Sequence, residues 1–162
     1  MDHQFSTVGR IEMAQVIRDT PDGEELVLCV TGWSMMPLLF HQRSLVYLRR
    51  EENYCPRKRD IVLFRRLDGT FVLHRVHRVE KDGFLTINGD AQNWTERILP
   101  EQVLAVVTRF YRRRREYSVD GLSHRIYRTL WCPLRFMHPL GAKAVYFWHR
   151  VPEKLFGERK RK

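Results

Sequence analysis

"DIVLFRRLDGTFVLHRVHRVEKDGFLTIN", residues 60–88, decides the fold class. Three short runs rich in β-branched and aromatic residues are punctuated by Asp68-Gly69 and Asp82-Gly83. Asp-Gly between apolar runs is a hairpin signal, because tight turns need residues that accept positive φ. The stretch therefore predicts three antiparallel strands in succession. Further runs of the same kind flank it: "ELVLCVTG" (25–32), "SLVYLRR" (44–50) and "VLAVVTRFYR" (103–112). Upstream, Val8, Ile11, Ala14 and Ile17 recur at helical spacing, with Ser6 as N-cap and Arg18 near the end. Downstream, "LSHRIYRTLWCPLRFMHPLGAKAVYFWHRVPEKLFG" (122–157) mixes aromatics and arginines at irregular helical spacing, broken at Pro133, Pro139 and Gly141. The expected organisation is an N-terminal helix and turn (1–24), a mainly β, coiled antiparallel domain (25–115), and a basic amphipathic helical extension (116–162).

The chain is long enough for one domain with its own core, and 43% hydrophobic residues argue for a folded protein rather than a disordered one. Its balance is strongly basic: 29 Lys+Arg against 19 Asp+Glu gives a net charge of +10, which favours an acidic partner and says nothing of the fold. Nucleic acid is the weaker of the candidate partners. The basic run "TRFYRRRREY" (108–117) stands without a helix-turn-helix, finger or RNA-recognition signature. Cys29, Cys55 and Cys132 form no CxxC pair, so neither a disulfide framework nor a cysteine zinc site is expected, and no metal or cofactor is expected either. No run of roughly 20 apolar residues is present, and the N-terminus has no signal-peptide pattern. The expected location is cytoplasmic, peripheral at a membrane where the extension binds one. In that extension, Trp131, Phe136, Phe147 and Trp148 form the expected apolar side for an anionic membrane surface, contacted through 122–157 and followed by "RKRK".

Candidate chemistry sits at three places. Ser34 lies in "GWSMMP" (32–37), on a bend between Gly32 and Pro37 at a strand end; it is either a nucleophile or part of an ordinary turn whose Trp33, Met35 and Met36 plug the core. A serine hydroxyl needs a base to act as a nucleophile. "FVLHRVHRV" offers His74 and His77, which strand alternation puts on opposite faces; both faces are mixed, so alternation does not choose between them. "TINGDAQN" ends a strand in a loop that carries Asp90. Ser, His and Asp in this order supply the parts of a hydrolase constellation, which geometry rather than order would establish.

Together, "GWSMMP", "DIVLFRR…FVLHRV" and "TINGDAQN" resemble the signal peptidase I and LexA-type serine peptidase superfamily, in its histidine-base branch that includes the SipW-like and endoplasmic-reticulum enzymes. The resemblance implies a serine endopeptidase acting on a peptide or precursor protein through an acyl-enzyme. In it Ser34 is the nucleophile, His74 (not His77) the base, and Asp90 the acidic group that holds the imidazole. Gly32, Trp33, Met35 and Pro37 would shape the bend and the oxyanion site. The chain departs from that pattern at Gly32, where signal peptidases carry a serine, and at Arg43-Ser44 and Arg59-Asp60, where Gly-Asp is common. The alternative is a non-catalytic binding module on the same fold, using its basic surface for an acidic partner or membrane. An ordinary histidine base would lose its proton near pH 6 to 7, and activity would rise there.

Overall fold

The computed structural model describes residues 10–131. Helix α1 (Arg10–Asp19) leads into eight strands: β1 (Glu25–Cys29), β2 (Leu45–Arg49), β3 (Ile61–Arg65), β4 (Phe71–Val79), β5 (Leu85–Asn88), β6 (Glu96–Ile98), β7 (Val103–Arg112) and β8 (Arg115–Ser118). Helix α2 (Leu122–Trp131) follows. The strands form one sheet in the order β1-β2-β7-β3-β4-β5-β6, with β8 also paired to β7, and every pairing is antiparallel.

Both Asp-Gly signals mark hairpins, β3–β4 and β4–β5, with Gly69 and Gly83 at positive φ. In each, the aspartate side chain accepts a backbone N–H two residues on, from Thr70 and Phe84. This is the local bond that makes Asp a turn former. Strand β3 explains why the sheet holds together. Ile61, Val62, Leu63 and Phe64 are all buried, because core lies on both faces of the sheet. Ile61 and Leu63 join Val46, Leu48, Val107 and Phe110 on one face; Val62 and Phe64 join Val76, Leu85, Ile87 and Val106 on the other. Each such side chain contributes about 1.5–3 kcal/mol relative to exposure. Register shifts interrupt three pairings, at Tyr47/Leu48, Leu63/Phe64 and Val76/Arg78. Bulges of this kind bend strands and increase their twist.

The sheet continues past the expected boundary at 115, because Arg115–Ser118 pairs back onto β7. Of the 122–157 segment, α2 is the described part; Phe136, Phe147 and Trp148, like Ser6, lie outside the described residues. Trp131 is not on an outward apolar side. Its indole N–H donates to the Asp90 carbonyl at 2.8 Å, so the ring faces the β domain.

At the two sites that lack Gly-Asp, other groups do similar work. Ser44 is fully buried, and its Oγ accepts the Phe40 N–H at 3.0 Å. Asp60 accepts the Arg57 N–H at 2.6 Å and the Tyr54 hydroxyl at 2.5 Å. Arg59, however, sits at φ 83°, a left-handed conformation that costs an ordinary side chain roughly 1–2 kcal/mol. Glycine relieves that strain but gives back about 0.5–1 kcal/mol in backbone entropy. Arg59→Gly should therefore stabilise the fold by up to about 1 kcal/mol. Urea denaturation checks it, and a destabilised variant would contradict the account.

Candidate functional site

Ser34 and His74 line one cavity of about 350 Å³. The 30–35 bend forms one wall with Thr31, Gly32 and Met35. The β3–β4 hairpin forms another with Arg66, Phe71 and Leu73, and Gln92 and Trp94 close it from the loop after β5.

His74 comes from the middle of β4. It pairs with Val62 of β3, so the two side chains share a face, the face of the Val62–Phe64–Val76 core. His74 is 1% exposed, with the Phe64 ring 6.1 Å away and the Trp94 ring edge-on at 6.4 Å. His77 does not line the cavity: it falls where the β4–β5 register shifts, between Val76 and Arg78. Of the two histidines, His74 is the one that lines the cavity.

The Ser34 bend is built from backbone contacts. Gly32 takes φ 87°, and its N–H donates to His41 Nδ1 at 2.9 Å, while the His41 and Trp33 rings lie 5.1 Å apart. That N–H is therefore committed and is not a free oxyanion donor. Met35 and Met36 are buried, which fixes the chain immediately after the half-buried serine. Trp33 is 45% exposed and so does not plug the core. Arg112 of β7 donates to the carbonyls of Pro37 and Leu38 at 3.2 and 2.8 Å, tying the end of the bend to the sheet.

From the other side, the loop after β5 presses on Ser34. The Ala91 N–H donates to the Ser34 carbonyl at 2.8 Å. A Cβ on Gly89 would lie 2.5 Å from that carbonyl oxygen and 2.9 Å from the Ser34 Cβ, so no side chain fits there without displacing the serine. Gly89 is needed for close approach, not for a turn conformation.

Asp90 does not hold His74. Its two oxygens accept Nε and Nη2 of Arg75, both at 2.7 Å, and Oδ2 also accepts the Tyr127 hydroxyl at 3.0 Å. Arg75 and Asp90 are each 3% exposed. The reason is strand alternation: Arg75 follows His74, so it faces the other side of the sheet and takes the carboxylate with it.

The carboxylate beside His74 is Glu96, with Oε1 3.5 Å from Nδ1. Glu96 comes from β6, paired to Ile87, which pairs in turn with Val76, so it shares the His74 face. Both Glu96 oxygens are also engaged by Arg66, through Nε at 2.6 Å and through Nη2. Nδ1 has no hydrogen-bond partner of good geometry. Burial drives the imidazole pKa down to about 4; Glu96 pulls it up, and Arg66 opposes Glu96. Desolvation wins because Arg66 already neutralises the carboxylate. His74 is therefore a neutral imidazole at pH 7. The titration expected near pH 6 to 7 is displaced well below that range.

Arg66 and Glu96 carry no site signal in the sequence. They lie on different hairpins, and nothing in "FRRLDGT" or "NWTERI" announces that their charges meet. Among the described residues no cluster of His, Cys, Asp and Glu could hold a metal ion. No protein-family model, curated protein or solved structure matches the chain.

Asp90→Ala should destabilise the protein by about 3–5 kcal/mol, because it strands a buried guanidinium. Urea unfolding measures this, and a loss below about 1 kcal/mol would mean that Arg75 finds water instead.

Proposed function

We propose that this chain is a serine endopeptidase of the signal peptidase I and LexA type, with Ser34 as nucleophile and His74 as base. The observation that carries the reading is that Ser34 and a buried, neutral His74 line the same cavity, although distant strands and loops supply them. A neutral imidazole can accept the serine proton, and a half-buried hydroxyl on a rigid bend can attack a carbonyl placed between them.

The steps follow from that arrangement. We assign the proton to Nδ1, the nitrogen 3.5 Å from Glu96, which makes Nε2 the basic nitrogen. Ser34 Oγ attacks the scissile carbonyl as its proton passes to Nε2. The imidazolium that forms is stabilised by Glu96, whose contact shortens as Nδ1–H becomes a charged donor. His74 then gives the proton to the leaving amine, leaving an acyl-serine that water hydrolyses by the reverse relay. With the Gly32 N–H committed to His41, Ser34's own N–H is the oxyanion donor on the bend. Glu96 does the work that sequence assigned to Asp90, and Arg66 is the positioning residue that holds Glu96. Asp90 acts at one remove: its carboxylate, paired with Arg75, sets the loop that packs on Ser34. The substrate is a peptide or precursor protein entering beside Phe71 and Trp94.

A serine-directed fluorophosphonate probe, located by mass spectrometry, tests the assignment. Wild type should be labelled at Ser34, and Ser34→Ala should lose the label. In peptide cleavage, Ser34→Ala and His74→Ala should each cost about ten-thousand-fold or more, because members of one unit fail together. His77→Ala should leave cleavage nearly unchanged, and Glu96→Ala should slow it less than His74→Ala does. Labelling that persists without Ser34 overturns the nucleophile. No labelling and no cleavage by the folded wild type favours the non-catalytic binding module.

The pH profile is a separate test. The base works as neutral imidazole and its pKa is about 4. The catalytic efficiency kcat/KM should therefore be flat from about pH 6 to 8 and fall only on approaching pH 4. Stability carries the same sign. The unfolded chain binds the His74 proton more readily than the folded one, so folding weakens as pH drops from about 6.5 towards 4. A kinetic midpoint between pH 6 and 7 would show that His74 is solvated in the working enzyme.

A further inference from the structure

Helix α2 keeps its polar-aromatic face inward and its aliphatic face outward. His124, Tyr127 and Trp131 turn to the β domain, with His124 2% exposed. Hydrogen bonds fix that orientation. The Tyr127 hydroxyl and the Trp131 indole N–H reach the Asp90 carboxylate and carbonyl at 3.0 and 2.8 Å. His124 Nδ1 lies 2.6 Å from the Val119 carbonyl, which makes Nδ1 the protonated nitrogen and leaves Nε2 to accept from Arg75 Nη1 at 3.4 Å. The three rings stack in sequence, 6.2 Å apart at each step.

On the opposite face, Leu122, Ile126 and Leu130 stand 72%, 51% and 65% exposed. They are spaced four residues apart, so they form one continuous aliphatic ridge. Arg125, also exposed, flanks it. The helix cannot roll to bury this ridge without breaking its bonds to Asp90 and Val119. Upstream in sequence, exposed Arg113 and Arg114 form the tip of the β7–β8 hairpin.

We propose that the Leu122–Ile126–Leu130 face of α2 docks in the interface of an anionic lipid bilayer. An aliphatic ridge flanked by arginine is the pattern of a helix lying in the headgroup region, apolar side towards the acyl chains. Charge selects this occupant over a second copy of the chain. At net +10, two copies repel, whereas an anionic leaflet attracts Arg125 and the hairpin arginines. Among the described residues no helix is long and apolar enough to cross a membrane, so the contact is peripheral there. The inference stands apart from the peptidase reading, since it uses neither Ser34 nor His74.

Vesicle sedimentation with the full chain tests it, using phosphatidylcholine vesicles with and without phosphatidylglycerol. The protein should bind only the anionic vesicles, and raised salt should weaken binding. The double variant Ile126→Ser/Leu130→Ser, both at exposed positions and checked for folding by circular dichroism, should bind them at least about tenfold more weakly. Ser34→Ala should bind like wild type. Equal binding by the double variant and wild type would place the lipid contact elsewhere in the chain and overturn the proposal. So would absence of binding at low salt. A wild-type dimer that the double variant dissolves, without vesicle binding, would make the ridge a self-association face instead.

Discussion

The buried ion pair between Arg75 and Asp90 is the constraint on which the rest of the site depends. Arg75 sits next to His74 on β4, and Asp90 sits next to Gly89, the residue packed on Ser34. One ion pair therefore sets the distance between the strand that carries His74 and the loop that braces Ser34. The same carboxylate receives Tyr127, and its backbone carbonyl receives Trp131, so α2 is held at the same point. Two charges this deeply buried gain little net stability from pairing, because each gives up its hydration. What they do is restrict the loop: moving it away from Arg75 would leave both buried groups unpaired.

A second ion pair does the complementary work on the other face of the sheet. Arg66 and Glu96 join the β3–β4 hairpin to the edge strand β6, and Glu96 lies beside the imidazole. The two faces thus have separate electrostatics. On one, Asp90 is saturated by donors; on the other, Glu96 is shared between a permanent cation and a neutral ring that becomes charged only when it takes a proton.

Much of this fold was legible in the residues. The apolar runs and Asp-Gly pairs announced the hairpins, and "VLAVVTRFYR" is strand β7 from end to end. Strands β6 and β8 were not legible. "ERI" is too short to show alternation, and "REYS" carries the charge that protects short strands from pairing with strangers. At the site, Ser34 and His74 were named from sequence and lie on one cavity. Asp90 was named too, but for the wrong partner. Its proximity in sequence to the Ser34 brace was visible, whereas the face it serves depends on sheet geometry. Glu96 could have been found only by knowing that β6 lies beside β5, which no local pattern records. The inward turn of Trp131 was hidden for a similar reason: an aromatic reads as apolar until a carbonyl is found for its N–H.

The irregularity at His77 bears on how the chain tolerates changes of length. The extra residue lies after both His74 and Arg75, between the pairs Val76↔Ile87 and Arg78↔Thr86. Losing one residue there would leave a regular ladder and change no partner upstream of it. Losing or gaining one between the pairs Val62↔His74 and Val76↔Ile87 would instead invert which side of the sheet each neighbour occupies. Arg75 is the one residue between them, so a deletion removes the guanidinium, and an insertion directly after His74 puts imidazole and guanidinium on the same side of the sheet. Natural variation in length should therefore collect on the distal half of β4, while its first six positions keep a fixed count.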